Sequence, residues 1–234
     1  MVLVFGVGFV FLGVGSGGLD LGSLVRDVFG SKGSSGTSIS KARDEVARHP
    51  RDPKRYKKLA DALASKGRTD EAISALERYM TLAPKDATQL GRLGQLQFTQ
   101  AENLRTQAQI AYFDQQTSLA GSTLGVTPTG KLGQALGTDP IQQAVSGKVS
   151  TRAQQALTKY TTASTAAIKS FKRLAKLQPG VSSYFALARA AEQFSDNTTA
   201  VAAYKKLLKL ESDPATKTQI KAKIKSLQPA PAGH

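Results

Sequence analysis

Residues Pro53 to Asp86, PKRYKKLADALASKGRTDEAISALERYMTLAPKD, constrain the fold of this chain more than any other stretch. Tyr56, Leu59, Ala60 and Leu63 recur at helical spacing and give one apolar face. Gly67 breaks the pattern where a helix should end. A second face follows with Ala72, Ile73, Leu76, Tyr79 and Leu82, and Pro84 stops it. Two short amphipathic helices around a glycine turn cannot bury both faces alone. They require stacked neighbours, so the chain should repeat the unit.

It does, once in pieces and once intact. Leu90, Leu93 and Gly94 begin a second unit, whose closing half appears only at Ala167, Phe171, Leu174 and Leu177, before Pro179. Ala72 and Ala167 are 95 residues apart, against the ~34 of an ordinary two-helix repeat. The third unit is compact: Tyr184, Leu187 and Ala188 lead to Ala200, Tyr204, Leu207 and Leu210, with Ala200 falling 33 residues after Ala167. Pro214 opens a last helix through Ile220, Ile224 and Leu227.

The aromatic-Leu-small start, the small Ala72 at the helix crossing, the Leu93-Gly94 pair and the closing Pro84 resemble the tetratricopeptide repeat. The resemblance covers about residues 53–211 without the insert. It implies an all-α fold, a short helical solenoid; the spacing within the insert adds a long inserted helical hairpin, and the apolar N-terminal run adds a transmembrane-like helix. The expected boundaries are 1–29 for an apolar anchor, 30–40 for a Gly/Ser linker and 41–228 for the helical domain. Within the domain the repeats are read at 53–86, at 87–119 plus 151–179, and at 181–213. The insert spans about 120–150, a capping helix 214–228 and a disordered tail 229–234. Lys41 to His49 reads as one short helix with Ser40 as its cap.

The split unit gives the chain its individuality. Thr88 to about Leu119 contains no proline, and only Gly91 and Gly94 as glycines, so it can be one helix. Ala101, Leu104, Ala108 and Ala111 recur at three- and four-residue steps, and Ala153, Ala156, Leu157, Tyr160, Ser164 and Ala167 do so on the return. Small residues on both seams let two antiparallel helices approach closely. The tip, Gly121 to Asp139, is glycine-rich. The hairpin reads as a partner-recognition arm; a tolerated extension is the bland alternative.

The N-terminus, VLVFGVGFVFLGV from Val2 to Val14, is 13 residues without a polar side chain. A helix needs about 20 residues to cross a bilayer. Extension to Val25 reaches that length but takes in Asp20 and further glycines. The segment reads as a single-pass anchor in the cell membrane, with an uncharged signal sequence or a helix packed on the body as the other readings.

The chemistry-bearing residues are few. Cysteine is absent, which removes disulfides and thiolate metal sites. His49 and His234 are the two histidines, one in an arginine-rich turn and one at the end, so no His-based metal site or triad is expected. Gly125 to Leu132, GVTPTGKL, matches Gly-x4-Gly-Lys, but Leu132 replaces the Ser or Thr that would hold magnesium. No strand-like run precedes it either. No Gly-x-Ser-x-Gly elbow and no framed carboxylate pair occurs. Neither an enzyme nor a cofactor is expected.

The net charge of +15 is uneven. Residues 151–234 hold 14 basic and 4 acidic side chains, whereas 31–86 hold 13 and 8. Lys169, Lys172, Arg173 and Lys176 ride on one helix, Lys205, Lys206 and Lys209 on another, and Lys217, Lys221, Lys223 and Lys225 on the last. Such a surface suits anionic lipid or an acidic protein. Without interleaved aromatics it is a poor reader of nucleic acid, and a solubilising lysine face is the plain alternative. The resemblance further implies a concave groove lined by the first helix of each pair: Lys57, Asp61, Arg92, Gln95, Gln97, Arg189 and Glu192. Asp61 stands where a carboxylate-clamping member would place Asn. The expected role is a non-catalytic, membrane-tethered scaffold or chaperone-like adaptor that binds a peptide or helix. A basic module for nucleic acid or anionic lipid is the alternative.

Overall fold

The computed structural model describes residues 38–123 and 140–228. Among them lie eight helices and no strand: α1 (Ile39–Arg48), α2 (Pro53–Ser65), α3 (Thr69–Leu82), α4 (Ala87–Thr123), α5 (Pro140–Leu177), α6 (Val181–Gln193), α7 (Asn197–Leu210) and α8 (Pro214–Leu227). The anchor read over 1–29, the linker up to residue 37, the Gly125–Leu132 loop and the tail 229–234 fall outside the described residues. No helix among the described residues is long and apolar enough to cross a membrane.

Local chemistry sets the helix starts. The Ser38 hydroxyl accepts from Lys41 N, so Ser38 rather than Ser40 caps α1, two residues before the sequence reading. Asp52 accepts from Lys54 N and Pro53 follows it, a position where the missing N–H is no loss. Asp86, Asp196 and Asp213 cap α4, α7 and α8 by accepting from Gln89 N, Thr199 N and Thr216 N. Each such cap contributes about 1 kcal/mol. Pro140 opens α5, so the return helix begins well before the 151 expected, the proline serving as a first helical residue instead of a loop.

The helix stops reveal a repeat device. Gly67 takes φ +70° just after α2, and Arg68 N donates to Leu63 O at 3.0 Å. Ser195 takes φ 61° at the same place after α6, and Asp196 N donates to Ala191 O at 2.8 Å. Both close the helix with a left-handed residue, but only the first uses the residue type suited to it.

Two apolar clusters form the core. Leu59, Ala60, Leu63, Ala72, Leu76, Tyr79, Leu90 and Leu93 make the first, across α2, α3 and the start of α4. Phe171, Leu187, Ala188, Ala200, Tyr204, Leu207 and Ile220 make the second, from the end of α5 through α8. Leu174 packs against both. Alanines close the crossings, with Ala60, Ala72, Ala101, Ala167, Ala188 and Ala200 fully buried.

The split unit is completed by α4 against α5. A Cβ on Gly94 would stand 3.0 Å from the Phe171 ring, and one on Gly91 would stand 3.4 Å from Leu174. Farther out, buried Ala101, Ala111, Ala153 and Ala163 line the seam, and Gln115 Nε2 donates to Ser150 Oγ at 3.2 Å. Leu157 departs from the expected seam at 55% exposure. The run Ala153, Ala156, Tyr160, Ala163, Ala167 carries the contact and turns Leu157 to its flank.

Ser195→Gly should raise stability by about 0.5–1 kcal/mol, the left-handed cost less the glycine's unfolded-state entropy, while Gly67→Ala lowers it by about 1 kcal/mol. Urea unfolding of the two variants with an unchanged m-value checks both. Gly94→Val should cost about 1–3 kcal/mol through overpacking against buried Phe171, while Gly91→Ala, at ordinary contact distance, leaves the midpoint unchanged or higher.

Candidate functional site

The expected groove residues differ sharply in what they touch. Arg92, on the second turn of α4, is buried and ion-paired to Asp61 of α2. Gln97 is 4% exposed: its Nε2 donates to Glu77 Oε1 at 3.2 Å, and Ser170 Oγ donates to its Oε1 at 2.6 Å. It therefore ties α3, α4 and α5 together inside the body and does not face a ligand, because its place on α4 turns it toward both neighbours. Glu192 accepts from the Tyr204 hydroxyl at 2.6 Å and from Lys223 Nζ at 2.5 Å, binding α6 to α7 and α8. Lys57 and Arg189 are exposed and Gln95 is half-buried, and their side chains make no hydrogen bond among the described residues. These three, with the exposed second carboxylate oxygen of Asp61, keep polar atoms at the surface.

Two tyrosine–carboxylate pairs lock the surfaces around this line. Tyr79 donates to Asp86 Oδ2 at 2.5 Å. Burial, then the hydrogen bond and charge of Asp86, push the Tyr79 hydroxyl up to about 12. Burial alone would raise the Asp86 carboxyl, but the Tyr79 hydroxyl, the Gln89 and Thr88 amides and the nearby Lys57 charge outweigh it and hold it low. Glu192 follows the same logic: burial opposes, but Lys223 and the Tyr204 hydroxyl win and lower it, while burial and Glu192 push Tyr204 up. Each carboxylate thereby ties its own helix or helix start to the neighbouring elements. Among the described residues no group of three or more His, Asp or Glu could hold a metal.

The arm presents the opposite character. Its last polar and aromatic ties to the body are Gln193 Nε2 to Glu102 Oε2 at 3.0 Å and the Phe194 ring against Phe98 and Tyr160. Beyond them, Ile110, Tyr112, Phe113, Val145 and Leu157 stand exposed, Phe113 at 67%. Ile110 and Phe113 are three residues apart and share one flank of α4, away from the Ala101–Ala111 seam. Reading the sequence for seam residues alone passed over them. The signal was there, in large apolar side chains that fall off the three- and four-residue steps.

The basic residues lie mostly at the surface. Lys169, Lys172, Lys176, Lys205, Lys206, Lys209, Lys221 and Lys225 are exposed, and Lys217 is half-buried. Arg173 is not free: its Nη2 donates to Pro84 O at 2.5 Å, clasping α5 to the loop after α3. Lys223 is spent on Glu192.

The tetratricopeptide repeat family model matches residues 32–87 and 164–215, the segments on either side of the arm. Solved structures matching the chain number 22. One is a thermophilic TPR protein of Thermus thermophilus, at 12% identity over 81% of this chain and 88% of that one. Another is the P58(IPK) TPR domain, at 17% identity over 79% of this chain and 59% of that one. The TM-score is 0.26 in each case, so the likeness to tetratricopeptide repeats rests on the two matched segments. No curated protein matches the sequence.

The tyrosine locks give a pH prediction. The Tyr79 value lies above the ordinary 10.0, so its contribution to stability is present below pH 10 and fades as pH rises toward 12. Asp86 and Glu192 lie below their ordinary values, so theirs is present above the usual carboxylate range and fades as pH falls through the lowered ones. A near-ultraviolet titration should show two of the six tyrosines ionising late, and Tyr79→Phe should remove one of the two.

Proposed function

We propose that this chain, which matches the tetratricopeptide repeat model on either side of the arm, is a non-catalytic scaffold or chaperone-like adaptor that recognises its protein partner chiefly through the arm. The observation that carries this reading is the cluster of exposed large apolar side chains beyond the body, led by Ile110, Tyr112 and Phe113. An apolar patch on a projecting element costs solubility and is the usual mark of a docking surface. Aromatic and isoleucine side chains at helical spacing fit an amphipathic helix or extended peptide laid along the arm.

The groove takes a secondary part. Lys57, Gln95 and Arg189 supply polar contacts along the first helices of the repeats, while Asp61, Arg92, Gln97 and Glu192 hold the groove's walls in place. A single-pass tether in the cell membrane through the apolar Val2–Val14 run would place this scaffold at a bilayer. Recovery of the full chain in the soluble fraction after lysis would contradict the tether without touching the arm.

The arm is tested with a photo-crosslinking amino acid at Tyr112 in the full chain. Discrete crosslinked partners are expected, lost when Ile110→Asp and Phe113→Asp are added, with thermal midpoint changed by less than about 2 °C because both side chains are exposed. Crosslinks that survive the double variant, or that form only from a probe at Gln95, would contradict arm recognition. Nucleic-acid binding through phosphates, the competing reading, would show a steep salt dependence that apolar docking lacks.

A further inference from the structure

The 33-residue period repeats a chemical pattern as well as a fold. Lys172, Lys176 and Leu177 end α5, and Lys205, Lys209 and Leu210 stand 33 residues later at the end of α7. Both helices join α6 through short turns, residues 178–180 and 194–196, so they run parallel and finish at one edge of the second core. The corresponding residues of the first repeat are Glu77, Thr81 and Leu82. The repeat itself therefore makes no demand for lysine at these places.

All four lysines are exposed, and none makes an ion pair among the described residues. The acids that could have neutralised them are committed elsewhere. Glu192 holds Lys223 and Tyr204, Asp196 and Asp213 cap helices, and Glu211 accepts from Ser212 N and Asp213 N. By contrast, the ion pairs among the described residues from Arg43 to Arg105 number seven. Beside the unneutralised lysines the two leucines stay open, at 39% for Leu177 and 48% for Leu210.

We propose that this ledge docks on an anionic membrane surface, with the lysine ammonium groups on headgroup phosphates and the two leucines entering the acyl boundary. Charge complementarity requires an anionic partner. Leucine selects among anionic partners: it adds nothing to a phosphate backbone in water, but lysine stems lying beside leucine are the composition of interfacial elements. Each lysine near an anionic surface strengthens binding about fivefold, and the attraction decays within a Debye length of about 8 Å at physiological salt. The ledge lies at the C-terminal ends of α5 and α7, at the opposite end of α5 from the exposed Val145 and Leu157 of the arm.

The chain contains no tryptophan, so Leu210→Trp in the full chain reports this edge alone, even if the N-terminal run attaches the protein to every vesicle. With phosphatidylcholine vesicles containing phosphatidylserine, the emission should shift to the blue and be quenched by bromine-labelled acyl chains. The shift should be absent on phosphatidylcholine alone. It should weaken about fivefold in lipid affinity for each of Lys172→Gln, Lys176→Gln, Lys205→Gln and Lys209→Gln. Leu177→Trp gives a second reporter, and far-UV circular dichroism checks that each variant keeps its helices. No shift on phosphatidylserine, an equal shift on neutral vesicles, or a shift elicited only by polyuridylate or polyglutamate would overturn the proposal.

Discussion

The close approach of α4 to α5 inside the body is the contact on which the rest of the structure depends. Gly94 meets the Phe171 ring, Gly91 meets Leu174, and Ser170 donates to Gln97 at 2.6 Å. Residues far apart in the chain thereby build one repeat, and Leu174 packs on both apolar clusters across that junction. A two-helix repeat is stable only through its neighbours. Without this junction the first and third repeats would each have one face uncovered.

Keeping the junction intact leaves the chain free to extend outward between its two halves. The arm that results is built differently from the body. Its seam is alanine, which lets the helices come close but buries little apolar area, while its larger apolar side chains point elsewhere. The proposed docking role of the arm rests on this division, with small side chains in the seam and large ones outside it. The body shows the reverse economy: polar residues such as Arg92, Gln97 and Glu192 that could have faced a ligand are drawn into ties between helices.

The order of the helices was legible because the signals are periodic and local. Apolar spacing in Tyr56–Leu63 and Ala72–Leu82, the stop at Pro84 and the 33-residue return at Ala200 need no knowledge of tertiary contacts. Even the split repeat could be read, since Leu93-Gly94 and Ala167-Phe171 each keep half of the pattern. The roles of individual polar residues were less accessible. Gln97 and Gln95 are alike in sequence and two positions apart, yet one is buried between three helices and the other borders solvent. Only the direction of each side chain relative to α3 and α5 separates them. Pro140 shows the same limit at a boundary, because proline opens a helix as readily as it interrupts one. Similarly, Ser195 carries no sequence mark of the left-handed turn it makes.

Hydrogen exchange along the full chain tests the central claim most directly, that α4 and α5 each belong half to the solenoid and half to an outgrowth. Amides of 90–100 and 164–176 should be protected to the level of α3 and α6, with exchange quickening outward along 104–118 and 144–160. Uniform exchange along the whole of α4 and α5, or loss of protection in 90–100 together with the arm, would contradict the account.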